Sequence, residues 1–116
     1  MKEAKELPIQ LDYIDRVKKI MIDWAGQNKI SLKTIECVVP FVLTDKGLSV
    51  WFFYDTNQIK DEYEKNGTNE VVKNKYLNLL TELNYPKEFL TEVSFFIDSD
   101  ENVKENYEGN YFYRPR

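Results

Sequence analysis

The chain has 116 residues, 42% hydrophobic and 15% aromatic, which is enough for one packed core and too apolar for a disordered segment. Its formal net charge is −4, with no histidine, one cysteine and no apolar run long enough to cross a bilayer. These features argue against phosphate-backbone binding, histidine catalysis, an internal disulfide and a transmembrane helix. The N-terminal Met-Lys-Glu-Ala-Lys-Glu-Leu-Pro is charged and lacks the apolar centre of a signal peptide, so one cytoplasmic domain, residues 1–116, is expected.

Residues 9–25 read as an amphipathic helix. Leu11, Ile14, Val17, Met21 and Trp24 recur at three- and four-residue steps, the charged residues fall largely on the other side, and Gly26 is placed to stop it. From Thr34 to Asp55 two β-rich runs flank Thr44-Asp45-Lys46-Gly47, which predicts a hairpin closed by a type I turn with Gly47 at positive φ. That turn would set Val42 opposite Val50, Phe41 opposite Trp51 and Val39 opposite Phe53. One face would then carry Val38, Val42, Val50, Phe52 and Tyr54, and the other Cys37, Val39, Phe41, Leu43, Trp51 and Phe53. Both faces are apolar, so each needs cover from the chain or from a partner. Pro40 cannot donate to a ladder, which marks its strand as an edge or as bulged.

The second half continues with Thr56 or Asn57 capping a short helix that bears Ile59 and Tyr63, broken at Asn66-Gly67. A longer helix is predicted over 70–83, with Val72, Tyr76, Leu80 and Leu83 in one stripe, widened by Leu77 and Leu79, and Asn84 and Pro86 at its end. Residues 92–98 read as a strand with Val93, Phe95 and Ile97 on one face. Asp98 or Ser99 then caps a short helix with Val103 and Tyr107 inward and Gly109 at its end, and Tyr111-Phe112-Tyr113 reads as a short last strand. Mixed in this order, the elements predict an α+β fold: an N-terminal helix, a mainly antiparallel sheet built on the central hairpin, and helices packed on it.

Catalytic chemistry finds little support. Without histidine there is no Ser-His or Cys-His pair, and Cys37 alternates with hairpin core residues as a packed thiol does. The four glycines sit at element ends, so no phosphate-cradling loop exists. Asp98, Asp100 and Asn102 match the first ligands of a calcium loop, but Val103 stands where glycine is required and Gly109 where a glutamate belongs. The expectation is therefore a protein that is not an enzyme and has no cofactor, metal or nucleic-acid ligand.

Charge is unevenly placed. Residues 1–54 carry eight basic and seven acidic side chains, residues 55–116 eight and thirteen, and seven of the eight tyrosines lie from Tyr54 onward. Two clusters stand out: Asp61, Glu62, Tyr63 and Glu64 beside Asp55, and Asp98, Asp100, Glu101, Glu105, Tyr107 and Glu108. Tyrosines beside acids suit a surface for a basic protein partner. A solvated, solubilising face with tyrosines at the core rim is the alternative for each cluster.

The closing Glu105-Asn106-Tyr107-Glu108-Gly109-Asn110-Tyr111-Phe112-Tyr113, reached from strand Val93–Asp98 through an acidic capping link, resembles bacterial polymorphic-toxin immunity proteins. The likeness is closest to YezG-like antitoxins and contact-dependent-inhibition immunity proteins. It implies a short, acidic, cytoplasmic α+β protein that binds one cognate toxin domain, commonly a nuclease, and blocks it. The resemblance points to the acidic C-terminal surface as the interface. Two other readings stand beside it: an adaptor that oligomerises through its aromatic hairpin, as a homodimer in the simplest case, and a small-molecule-binding module with a pocket lined by Trp51, Phe53 and Tyr54.

Overall fold

A computed structural model describes residues 8–40, 42 and 45–107. Helix α1 (Leu11–Gln27) leads into strands β1 (Leu32–Val38) and β2 (Leu48–Tyr54). Helices α2 (Asn57–Asn66), α3 (Thr68–Glu82) and α4 (Lys87–Leu90) follow, then β3 (Val93–Ser99) and α5 (Asp100–Asn106). The α+β plan, with a leading helix and a β1–β2 hairpin, is as the sequence predicts. The sheet order is β1-β2-β3, with β1 antiparallel to β2 but β3 parallel to it, so the sheet is mixed rather than mainly antiparallel. The connection is long enough to allow the parallel pairing. Three helices lie between β2 and β3, which returns the chain to the sheet in the same direction. The one-turn helix α4 has no counterpart in the sequence reading, and the last strand anticipated at Tyr111-Phe112-Tyr113 lies outside the described residues.

The hairpin register differs from expectation. Ile35 faces Phe52, Glu36 faces Trp51 and Cys37 faces Val50, with an irregularity around Lys33. The tight turn at residues 44–47 would have paired residues five positions further along β1. Pairing instead stops at Val38–Ser49, two residues before Pro40, whose missing N–H ends the ladder. Gly47 is not at positive φ. The returning loop is held by Gln10, which is buried and whose Nε2 donates to Asp45 O at 3.1 Å and Gly47 O at 2.9 Å. The register moves by an odd number, so Cys37 lies on the face of Val50 and Phe52, not on that of Trp51.

β2 is the central strand and is buried on both faces. On one face Leu48, Val50, Phe52 and Tyr54 join Ile35, Cys37, Val93, Phe95 and Ile97 beneath α1 and α3. Helix α1 contributes Val17, Met21 and Ala25, one residue per turn, while Leu11 at its start is 42% exposed. Helix α3 contributes Val72, Tyr76, Leu79 and Leu80. Phe52 stacks on Phe95 at 5.5 Å, and the Tyr76 ring meets both edge-on. The opposite face carries Trp51 and Phe53, which pack with Val103 of α5 and with Tyr107. The chain thus supplies cover for both sheet faces.

Helix ends use left-handed residues. Gly26 stays inside α1, and the helix ends instead at Lys29 (φ 58°), whose N–H reaches Gly26 O while Ile30 N reaches Ala25 O. Asn84 (φ 69°) repeats the pattern after α3, with its N–H on Thr81 O and Tyr85 N on Leu80 O. These are paired 5→2 and 6→1 closures that satisfy the last carbonyls of each helix.

Candidate functional site

The two acidic clusters receive different environments. In the first, Thr56 caps α2 by accepting from Ile59 N at 3.1 Å. The i,i+4 pair Ile59 and Tyr63 faces the core, which leaves Asp61, Glu62 and Glu64 exposed on the outer side. None of these three acids forms an ion pair among the described residues. Tyr63 is anchored rather than displayed. Its ring meets Tyr54 edge-on at 4.8 Å, and its hydroxyl accepts from Ser31 N at 3.0 Å.

In the second cluster Asp98 and Asp100 turn inward. Asp98 is 5% exposed, accepts from Ser99 N at 2.8 Å and takes both oxygens to Asn102 Nδ2 at 3.1 Å. Asp100 is 7% exposed and pairs with Lys104 at 3.0 Å. Ser99 caps α5 by accepting from Asn102 N at 3.0 Å. Glu101 reaches across and accepts from Asn57 N at 2.9 Å, placing a carboxylate on the first turn of α2. Ser99 Oγ donates to Asn57 Oδ1, and Glu101 N donates to Asp55 O. The start of α5 is therefore laced to the start of α2. Of this cluster Glu105 is exposed, Tyr107 is half-buried against Trp51 and Phe53, and Glu108 lies outside the described residues. Asn57 and Ser99 carry this junction, and the sequence signal for it was the serine three residues before Asn102.

Trp51 and Phe53 lie on one face of β2 and Tyr54 on the other, so the three do not line one pocket. Successive strand residues point to opposite faces, so Tyr54 packs on Tyr63 and donates to Asn69 Oδ1 at 2.8 Å, away from the Trp51 side. Surface hollows are lined elsewhere, one by Asp15, Lys18, Lys19, Ile22 and Asp23 and another by Lys60, Glu64, Asn69, Glu70, Lys73 and Ile97. Cys37 Sγ lies 3.6 Å from Tyr76 Oη, and burial pushes its thiol up to about 11, so it stays protonated at neutral pH. Burial also raises Tyr54 and Tyr76, and pushes Tyr85 up to about 12. Among the described residues no three His, Cys, Asp or Glu side chains converge as metal ligands would, and no helix is long and apolar enough to cross a membrane.

Comparison with protein-family models, curated proteins and solved structures finds no match.

Proposed function

We propose that this protein is an immunity protein: it binds a cognate toxin domain, a nuclease by the resemblance above, and blocks it through an acidic surface. The observation that supports this most is the outer face of α2. Asp61, Glu62 and Glu64 are exposed there, unpaired with any base among the described residues, on a helix pinned from behind by Ile59 and Tyr63. Such a rigid face, with three acids to the two lysines Lys60 and Lys65 of the same helix, is net acidic. It suits the basic groove that a nuclease uses for phosphate, and it speeds encounter by steering. Within the second cluster Glu105 is displayed to solvent, Asp98 and Asp100 are bound locally in the β3–α5 turn, and Glu101 ties α5 to the start of α2.

The test is first to read the genes beside this one for a toxin domain, and then to measure association kinetics against that domain, using Asp61→Lys, Glu62→Lys and Glu64→Lys together. The triple variant should associate at least about tenfold more slowly, and the loss should shrink at high salt. Urea unfolding of the free protein should be nearly unchanged, since exposed substitutions stay within about 0.5 kcal/mol each. Wild-type association by the folded variant would refute the assignment to α2. Failure of the native protein to bind or protect against that domain would refute the immunity reading itself.

A further inference from the structure

We propose that the outer edge of β3 pairs, antiparallel and about a two-fold axis at Phe96, with β3 of a second copy of this chain. The two edges of the sheet are treated differently. At β1 the register is broken around Lys33, Pro40 follows the strand, and Lys18 of α1 reaches across to Glu36 at 3.7 Å. Irregularity, lysine and proline are devices that keep an edge from pairing. β3 has none of them. Its seven residues, Val-Ser-Phe-Phe-Ile-Asp-Ser, hold a continuous register with β2, without proline, lysine or bulge. Among the described residues no strand lies beyond it.

The ladder settles which backbone groups face out. Leu48 N donates to Glu92 O, so in a parallel ladder Ser94 and Phe96 direct their N–H and C=O to β2. The N–H and C=O of Val93, Phe95 and Ile97 then point away from the sheet. A two-fold axis at Phe96 sets Phe95 opposite Ile97 of the second copy, and these two exchange their outward hydrogen bonds. On the helix side this joins two half-buried apolar side chains. On the α5 side it brings together the two Phe96 rings, each 41% exposed and stacked on its own Trp51 at 4.6 Å.

Charge favours a second copy over a basic partner at this edge. Asp98 is the one charged side chain on β3, and it is turned into the α5 cap. The hollow beside Ile97 is lined by Lys60, Lys73, Glu64 and Glu70, two of each sign. A patch of both signs can match its own two-fold image, whereas a uniformly basic surface would meet as much repulsion as attraction. The pairing shares Glu64 with the toxin-binding reading but rests on the β3 backbone edge, so Phe96→Lys tests it without altering the α2 acids.

The test is sedimentation velocity on the full chain from micromolar to millimolar concentration, with amide hydrogen exchange measured on the same samples. The mass should double, and the Phe95 and Ile97 amides should slow together with it, by at least about tenfold. Phe96→Lys places two cations on the axis and should return the monomer mass, with urea unfolding confirming that it is folded. Three results would each overturn the proposal: a monomer at millimolar concentration, a dimer whose Phe95 and Ile97 amides exchange as fast as in the monomer, or a dimer formed only after deletion of residues 108–116. The last would assign the edge to the chain's own end.

Discussion

Trp51→Ala tests whether the α5 face of the sheet is core. Trp51 is 7% exposed, stacks on Phe96 at 4.6 Å and on Phe53 at 6.2 Å, and packs with Val103. Truncating a buried tryptophan costs about 3–5 kcal/mol. The lower end applies here, because Phe96 is 41% exposed and free to tilt into the space left behind. A loss of about 3 kcal/mol is a large part of the roughly 5–15 kcal/mol that holds a domain together. With a urea slope of about 1.5 kcal/mol per molar, the midpoint should fall by about 2 M. Trp51→Phe keeps a ring in the stack and should cost roughly 1 kcal/mol. Circular dichroism is the suitable probe, since Trp24 complicates fluorescence. A midpoint shift below about 0.3 M for Trp51→Ala, at unchanged slope, would mean that α5 does not seal this face and that the Trp51 stack is a surface feature.

Two further perturbations follow from the helix ends and the buried titratable groups. Lys29 holds φ 58° at the end of α1, a conformation costing a side-chain-bearing residue about 1–2 kcal/mol, so Lys29→Gly should stabilise by about 0.5 kcal/mol after the extra chain entropy of glycine is offset. A thermal melt should rise by a few degrees, Asn84→Gly should gain less because asparagine already tolerates that region, and a drop for Lys29→Gly would contradict the strain argument. Stability should also decline in alkali. The Cys37 thiol is raised from 9.0 to about 11 and Tyr85 from 10.0 to about 12, so the unfolded chain ionises first. Their contribution is whole below pH 9 and fades as pH rises through 11 and 12. Urea midpoints of Cys37→Ala should lack the portion lost between 9 and 11, and an unaltered profile would mean the thiol is hydrated in the fold.

The helices were the legible part of the sequence. Val17 and Met21 in α1, and Val72, Tyr76 and Leu80 in α3, alternate with exposed polar residues, so periodicity alone identifies their inner faces. Strand pairing was less legible. The hairpin register depended on a turn at residues 44–47, and Pro40 ended the ladder before that turn was reached. The parallel β2–β3 pairing joins residues separated by three helices, and nothing local in either strand encodes it. The α2 acids were readable because Ile59 and Tyr63 orient the helix. Asp98 and Asp100 were not, because an acid displayed to solvent and one turned back to hold a helix start are the same letter. Asp98 stood at a capping position in the sequence, and its carboxylate is held there by Ser99 N and Asn102 Nδ2 of the turn that follows it.

The placement of β2 has a consequence for the order of events as the chain emerges during synthesis. Leu48–Tyr54 is made with β1 already available, and the β1–β2 hairpin is local. Its other neighbour, β3, is completed only after the whole α2–α4 crossover, and closing that excursion costs on the order of 3 kcal/mol in chain entropy. Until Val93–Ser99 arrives, the Trp51-Phe52-Phe53-Tyr54 run has an unpaired side and no α5 above it. The nascent chain is thus most prone to aggregation at mid-length, and a stall between Tyr54 and Val93 would leave its most aromatic strand half paired.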